Sequence, residues 1–165
     1  KKRNPNLKIY CGSHEKPSVA GLVKSERLIQ AENLLKSILA KLKPWALEFI
    51  HRLESIKRCD DVIALEANTL FENELVIIHT PGHTKGHISL YYPREKTVIP
   101  GDAIVFINGK LDIANPNYTL DIHKALESVE KIKNLKPQKL ICYHGGIIED
   151  DLDKKLIRLT EIYTK

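Results

Sequence analysis

His79-Thr80-Pro81-Gly82-His83-Thr84-Lys85-Gly86-His87 concentrates more chemistry than any other stretch of the chain. Leu75-Val76-Ile77-Ile78 leads into it, and the alternating run Ile88-Ser89-Leu90-Tyr91-Tyr92 leaves it. Short branched and alternating apolar runs read as strands, which places the three histidines on a loop between two of them. Pro81 and Gly82 bend the backbone, and Gly86 lets it bend again. A loop stiffened in this way can aim an imidazole at a metal ion, whose ligand geometry tolerates little slack.

Working outward, Val62-Ile63-Ala64-Leu65, Thr97-Val98-Ile99 and Ile104–Ile107 read as further short strands. Glu72-Asn73-Glu74 supplies a turn, and Asn108-Gly109 a hairpin turn. A helix is expected from about Leu120 to Leu135, with the stripe Ile122, Leu126, Val129 and Ile132. Lys131, Lys133 and Lys136 suit its C-terminal dipole, and Pro137 lies beyond its end. Lys139-Leu140-Ile141-Cys142 reads as a strand that delivers His144. A last helix, from about Asp150 to Tyr163, carries Leu152, Leu156 and Leu159. Toward the N-terminus, Leu7–Cys11 reads as a strand. Ser25 caps a helix expected to run to about Leu42, and Pro44 opens another bearing Trp45, Phe49, Ile50, Leu53 and Ile56. These two helices form an αα-hairpin within residues 25–58, read first as a packing unit and otherwise as a pocket wall or dimer arm. The fold class is therefore α/β (α+β), with a β-rich part over 62–165 closed by two helices.

The chain has 165 residues, enough for a single domain or part of a larger one. Its 42% hydrophobic content supports a core, and its formal charge of +5 is spread along the chain, which suits solubility better than a nucleic-acid surface. No aromatic-basic pattern favours nucleic acid. Cys11, Cys59 and Cys142 are odd in number and widely spaced, so neither a zinc knuckle nor a disulfide frame is signalled, and reduced thiols in a cytoplasmic protein are expected. No apolar stretch is long enough for a membrane span. There is no methionine, and the chain begins at Lys1, as expected of a processed chain, a fragment or an engineered one.

Three donors, His83, Asp102 and His144, stand at strand ends, and imidazole nitrogen with carboxylate oxygen suits Zn²⁺, Fe²⁺ or Mn²⁺. The nine-residue stretch resembles the third metal motif of the metallo-β-lactamase superfamily, which includes glyoxalase II-like hydrolases. Gly101-Asp102 and Tyr143-His144-Gly145-Gly146 follow in the order that family uses, so the resemblance runs from about Leu75 to the C-terminus. It implies that His83 binds a first metal, His144 a second, and the catalytic carboxylate of Asp102 bridges both. It implies zinc, with iron or manganese as alternatives, and a metal-bound hydroxide that hydrolyses an ester, thioester, lactam or phosphodiester in a small-molecule substrate. His79, Thr84 and His87 would shape the loop or support the ligands. His14, His51 and His123 receive no role.

The family's strongest signature, His-x-His-x-Asp-His, is absent: of the seven histidines no two are separated by a single residue. In the family that motif precedes a stretch like Asn6–Tyr10, so the chain is expected to be the C-terminal part of the αββα sandwich. Catalytic zinc usually takes three protein ligands. Weak or absent metal and little hydrolysis are therefore expected of this chain alone, while its presumed parent would be an enzyme. A half-sandwich leaves one sheet face uncovered, which implies a homodimer or a missing N-terminal half. The competing reading is a non-catalytic association module or split-chain partner that keeps the fold.

Overall fold

Six short strands build the sheet that carries the histidine loop in the computed structural model, which describes residues 4 and 6–163. In spatial order they are β10 (Gly146–Ile148), β9 (Lys139–Cys142), β6 (Thr97–Ile99), β5 (Ile88–Tyr92), β4 (Leu75–His79) and β3 (Leu70–Phe71). Every neighbouring pair is antiparallel except β6 with β9. A parallel pair needs a long crossover. Here the crossover holds the hairpin β7 (Val105–Ile107) and β8 (Lys110–Asp112) and then helix α4 (Ile122–Asn134). Asn108 at φ 51° and Gly109 at φ 77° make the tight hairpin turn expected of that dipeptide.

The register sorts the side chains into two rows. Val76, Tyr91, Val98, Leu140 and Ile148 are successive partners across the strands and share one face. Val98, Leu140 and Ile148 of this row join Val129 and Ile132 of α4, and Leu156 and Leu159 of α5 (Leu152–Tyr163), in one buried core. On the other face Leu90 pairs with Ile99, and Ile141 with Ile147. Ile77, the partner of Leu90 in that row, is fully buried, whereas Leu90, Ile99 and Ile141 are half-buried and Ile147 is 65% exposed. One sheet with helices on one face is half of an αββα layering, as the sequence implied.

Helix α4 departs from its expected stripe. Ile122 is exposed, and the buried residues are Ala125, Ser128, Val129 and Ile132. The small Ala125 and Ser128 face inward because the histidine loop packs directly on them, as described below. Strands β3, β8 and β10 are two or three residues long, too short to carry a periodic pattern.

Residues 15–63, with the segment ending at Cys11, form a separate helical unit. It contains α1 (Lys16–Val19), α2 (Glu26–Ser37) and α3 (Lys43–Glu54). Ser25 caps α2 by accepting the Leu28 amide. The helix stops at Ser37, earlier than expected, with Ile38 in extended conformation. A helix continuing to Leu42 would leave no residues to reverse the chain before α3 starts at Lys43. The hairpin closes over Leu28, Ala31 and Ile50, with Leu35, Phe49 and Leu53 against them. The first strand, β1 (Tyr10–Gly12), lies later than the expected Leu7–Cys11. The last, β2 (Ile63–Leu65), begins where the Ile63 amide donates to the Ile9 carbonyl. Among the described residues no helix is long and apolar enough to cross a membrane.

Candidate metal centre

The loop after β4 is closed by its own backbone. The Thr80 amide donates to the His87 carbonyl at 2.9 Å, and the Gly82 amide to the Thr84 carbonyl at 3.0 Å. Helix α4 then seats it. The Leu120 and Asp121 amides both donate to the Gly82 carbonyl at 3.0 Å, the Ser128 hydroxyl donates to the Pro81 carbonyl at 2.7 Å, and Lys131 reaches the His79 carbonyl at 3.3 Å. Gly82 has φ 137°, and a Cβ there would lie 2.3 Å from the Ala125 nitrogen. Only glycine allows the loop to sit this close, and that seat fixes the residue after it, His83.

Asp102 is held from behind. Gly101 turns at φ 58°, where a Cβ would lie 2.8 Å from His87 Nε2. The Asp102 amide donates to that same Nε2 at 3.0 Å. Nε2 is therefore an acceptor, and the ring proton sits on Nδ1, which faces the Thr80 carbonyl at 3.0 Å and its hydroxyl at 2.9 Å. Burial, reinforced by nearby His83, pushes the His87 pKa down to about 4 against the pull of Asp102.

His144 is carried by the turn after β9, and the Phe106 amide donates to its carbonyl at 2.7 Å. Gly145 lies so close to the Phe106 carbonyl that a Cβ there would overlap it. The three sequence-predicted donors converge on the carboxylate. His83 Nε2 is 3.7 Å from Asp102 Oδ2, and His144 Nε2 is 3.4 Å from Asp102 Oδ1. Each carboxylate oxygen thus faces a different imidazole. The donor chemistry fits a divalent cation of the zinc or iron type. The donor count does not complete a cage: among the described residues no group of three or more His, Cys, Asp or Glu side chains closes around a single ion.

Of the flanking residues, His87 holds the Asp102 amide, while His79 and Thr84 have other neighbours. His79 Nε2 is 2.9 Å from the Lys85 carbonyl, and its ring stacks on His14 at 5.4 Å. Thr84 and His79 line a cavity of about 280 Å³ with Leu120 and Lys124. Sequence reasoning missed Thr80, Ser89 and Ser128. Their signal was present but faint: Ser89 interrupts the apolar run of β5, and Ser128 stands on the inward face of α4.

The family model of the metallo-beta-lactamase superfamily matches residues 38–144. The probable metallo-hydrolase YflN of Bacillus subtilis (strain 168) is 29% identical over 153 residues, covering 85% of this chain and 55% of that protein. Among solved structures, the metallo-beta-lactamase family protein TTHA1429 from Thermus thermophilus matches with a TM-score of 0.67 at 16% identity, over 96% of this chain and 53% of that one. TTHA1623, solved in a di-iron-bound form, matches with a TM-score of 0.58 at 18% identity, over 92% of this chain and 64% of that one. The chain thus spans between 53% and 64% of the length of these relatives.

Proposed function

The chain belongs to the metallo-β-lactamase superfamily, and from that premise we propose that His83, Asp102 and His144 are part of a two-ion hydrolytic centre in which Asp102 stands between the metals. The observation that carries this reading is the carboxylate itself, with Oδ2 toward His83 and Oδ1 toward His144. Divalent ions held there by His83, Asp102 and His144 would supply Lewis-acid polarisation and would lower the pKa of water. The chain's own part is placement. His83 is set by the loop seated on α4, and Asp102 by the turn at Gly101. The Asp102 side chain is 38% exposed, open enough for water and an ester, thioester, lactam or phosphodiester to reach it.

On this reading zinc or iron is held weakly by the chain alone, and hydrolysis is correspondingly slight, because three donors fall short of two ligand shells. The half-buried row of Leu90, Ile99, Ile141 and Ile147 supports the companion proposal that a second copy, or an N-terminal half carrying further ligands, covers that face.

Metal analysis with a Co²⁺ titration tests the reading. The purified chain should retain less than one ion, and Asp102→Asn should weaken Co²⁺ binding by about tenfold or more. Unchanged binding in that variant would remove Asp102 from the ligand set. Stoichiometric metal, with hydrolysis lost on His83→Ala, would overturn the metal-poor part.

A second reading is a non-catalytic association module. The incomplete donor set favours it. It predicts no Co²⁺ binding at millimolar concentrations together with a stable complex in light scattering.

A further inference from the structure

Behind the Asp102 carboxylate lies a closed circuit of hydrogen bonds, two members of which, Thr80 and Ser89, have no part in the function proposed above. It starts at the Pro100 carbonyl, which accepts from the Ser89 hydroxyl at 3.0 Å. The Ser89 hydroxyl lies 2.8 Å from that of Thr80, and the Thr80 hydroxyl 2.9 Å from His87 Nδ1. His87 Nε2 then meets the Asp102 amide at 3.0 Å, two residues beyond the start. Thr80 and Ser89 are each 1% exposed, so water does not replace these bonds.

Donor and acceptor accounting leaves one direction for the whole circuit. The Asp102 amide can only donate, so Nε2 must accept, and the ring proton is on Nδ1. Nδ1–H then donates to Thr80, whose carbonyl and hydroxyl oxygens both face it. The Pro100 carbonyl can only accept, so the Ser89 hydroxyl proton is committed to it. The Thr80 hydroxyl proton therefore goes to Ser89. Turning a link around sets donor against donor at His87 or leaves the Pro100 carbonyl without a donor in a buried place, and either is costly.

We infer that Thr80 and Ser89 are positioning residues for the centre. Their hydroxyls back the Thr80 carbonyl in holding His87 Nδ1–H, so that Nε2 stays aimed at the Asp102 amide and the carboxylate is placed before any ion arrives. The circuit spans the Gly101 turn and grips it on both sides, at Pro100 and at Asp102. Gly101 bends there in the left-handed region, where an ungripped turn would have other conformations open to it. The inference rests on the reading of Asp102 as a ligand, but the circuit is a property of the chain without metal and can be measured as such.

Two readouts decide it. Long-range ¹H–¹⁵N imidazole correlations on the unsubstituted, metal-free chain should show His87 protonated at Nδ1. Amide exchange should show the Asp102 N–H protected, and about tenfold faster in Thr80→Val than in Thr80→Ser, which keeps the hydroxyl. His87→Gln, with a polar atom near the Nε2 position, should retain that protection. His87→Asn, with one near Nδ1 only, should lose it. Co²⁺ affinity should fall about tenfold in Thr80→Val, with far-UV circular dichroism unchanged, and return in Thr80→Ser. An Nε2–H tautomer in the unsubstituted chain overturns the inference without recourse to any variant. So does equal Asp102 exchange in the Thr80→Val and Thr80→Ser chains. Failure of the ligand reading shows elsewhere, as Co²⁺ binding that Asp102→Asn leaves unchanged.

Discussion

The two imidazoles that face Asp102 are held in very different ways. His83 is 21% exposed, on a loop that four groups of α4 and its approach grip through the carbonyls of His79, Pro81 and Gly82. His144 is 66% exposed, and the hydrogen bond described for its turn is a single one, from the Phe106 amide to its carbonyl. The carboxylate between them is fixed from the His83 side, through His87. One imidazole is largely covered on a loop gripped by a helix, and the other stands exposed on a glycine turn that touches its neighbour at Phe106. A set of donors divided this way is preorganised on one flank and adaptable on the other. That division, more than the donor count, is what the structure adds to the motif.

The sharpest way to break this contrast is to place a methyl group on each side. Gly82→Ala puts a Cβ into the Ala125 backbone at a φ of 137°, and should cost about 4 kcal/mol in urea unfolding. Gly146→Ala also meets a positive φ, of 89°, but nothing lies within 4 Å of its Cβ, so about 1 kcal/mol is expected. Equal losses would mean that Gly82 has no tighter seat than Gly146, the free end of the turn whose close approach is made by Gly145 on the Phe106 carbonyl.

Acid probes the buried flank next. The His87 pKa is held near 4, against an ordinary 6.5. Above pH 6.5 the imidazole is neutral in both the folded and unfolded chain, and stability is unaffected. As pH falls through 6.5 toward 4 the unfolded chain takes up the proton first, so stability drops, by about 3 kcal/mol once both forms are protonated. Burial is the main reason, and a protonated Nε2 would also set a donor against the Asp102 amide. Denaturant midpoints between pH 7 and 4 should fall more steeply for the unsubstituted chain than for His87→Gln. Parallel curves would show that His87 is not buried neutral. Ser128→Ala tests the same flank more gently. Loss of its bond to the Pro81 carbonyl should cost about 1 kcal/mol in the same assay.

Much of this was readable beforehand, and the boundary of what was readable is physical. The strands flanking the histidine loop, Leu75–His79 and Ile88–Tyr92, came through because each is five residues of alternating or branched apolar type. His83, Asp102 and His144 were singled out because Gly, Pro and His at fixed spacing encode a loop shape and not only a composition, and both imidazoles lie within 3.7 Å of the Asp102 carboxylate. The Thr80–Ser89 link did not. A buried hydroxyl in a strand or just past its end has the same local pattern as an exposed one, and only the pairing of β4 with β5, continued by the Thr80–His87 backbone bond, brings the two together. Ala125 and Ser128 were missed as core for a related reason. Periodicity finds large apolar residues, while a close approach of backbone to helix selects small ones. The end of α2 at Ser37 was set by the need to reverse the chain, which no residue near Ile38 announces.

The smallest stability effect belongs to the open flank, and it sharpens the comparison most. His144 is 66% exposed and extends from a turn whose backbone bond to Phe106 does not involve the side chain. Its removal deletes neither core packing nor a buried hydrogen bond. His144→Ala should therefore unfold within about 0.5 kcal/mol of the unsubstituted chain, as most surface substitutions do. On the reading that it is a ligand, the same change should weaken Co²⁺ binding by about tenfold or more. His83→Ala should weaken binding comparably but also cost stability, because its ring is packed into the seated loop. Stability and metal affinity would then be separable at one histidine and coupled at the other. A His144→Ala chain as destabilised as His83→Ala would mean that both flanks are built alike.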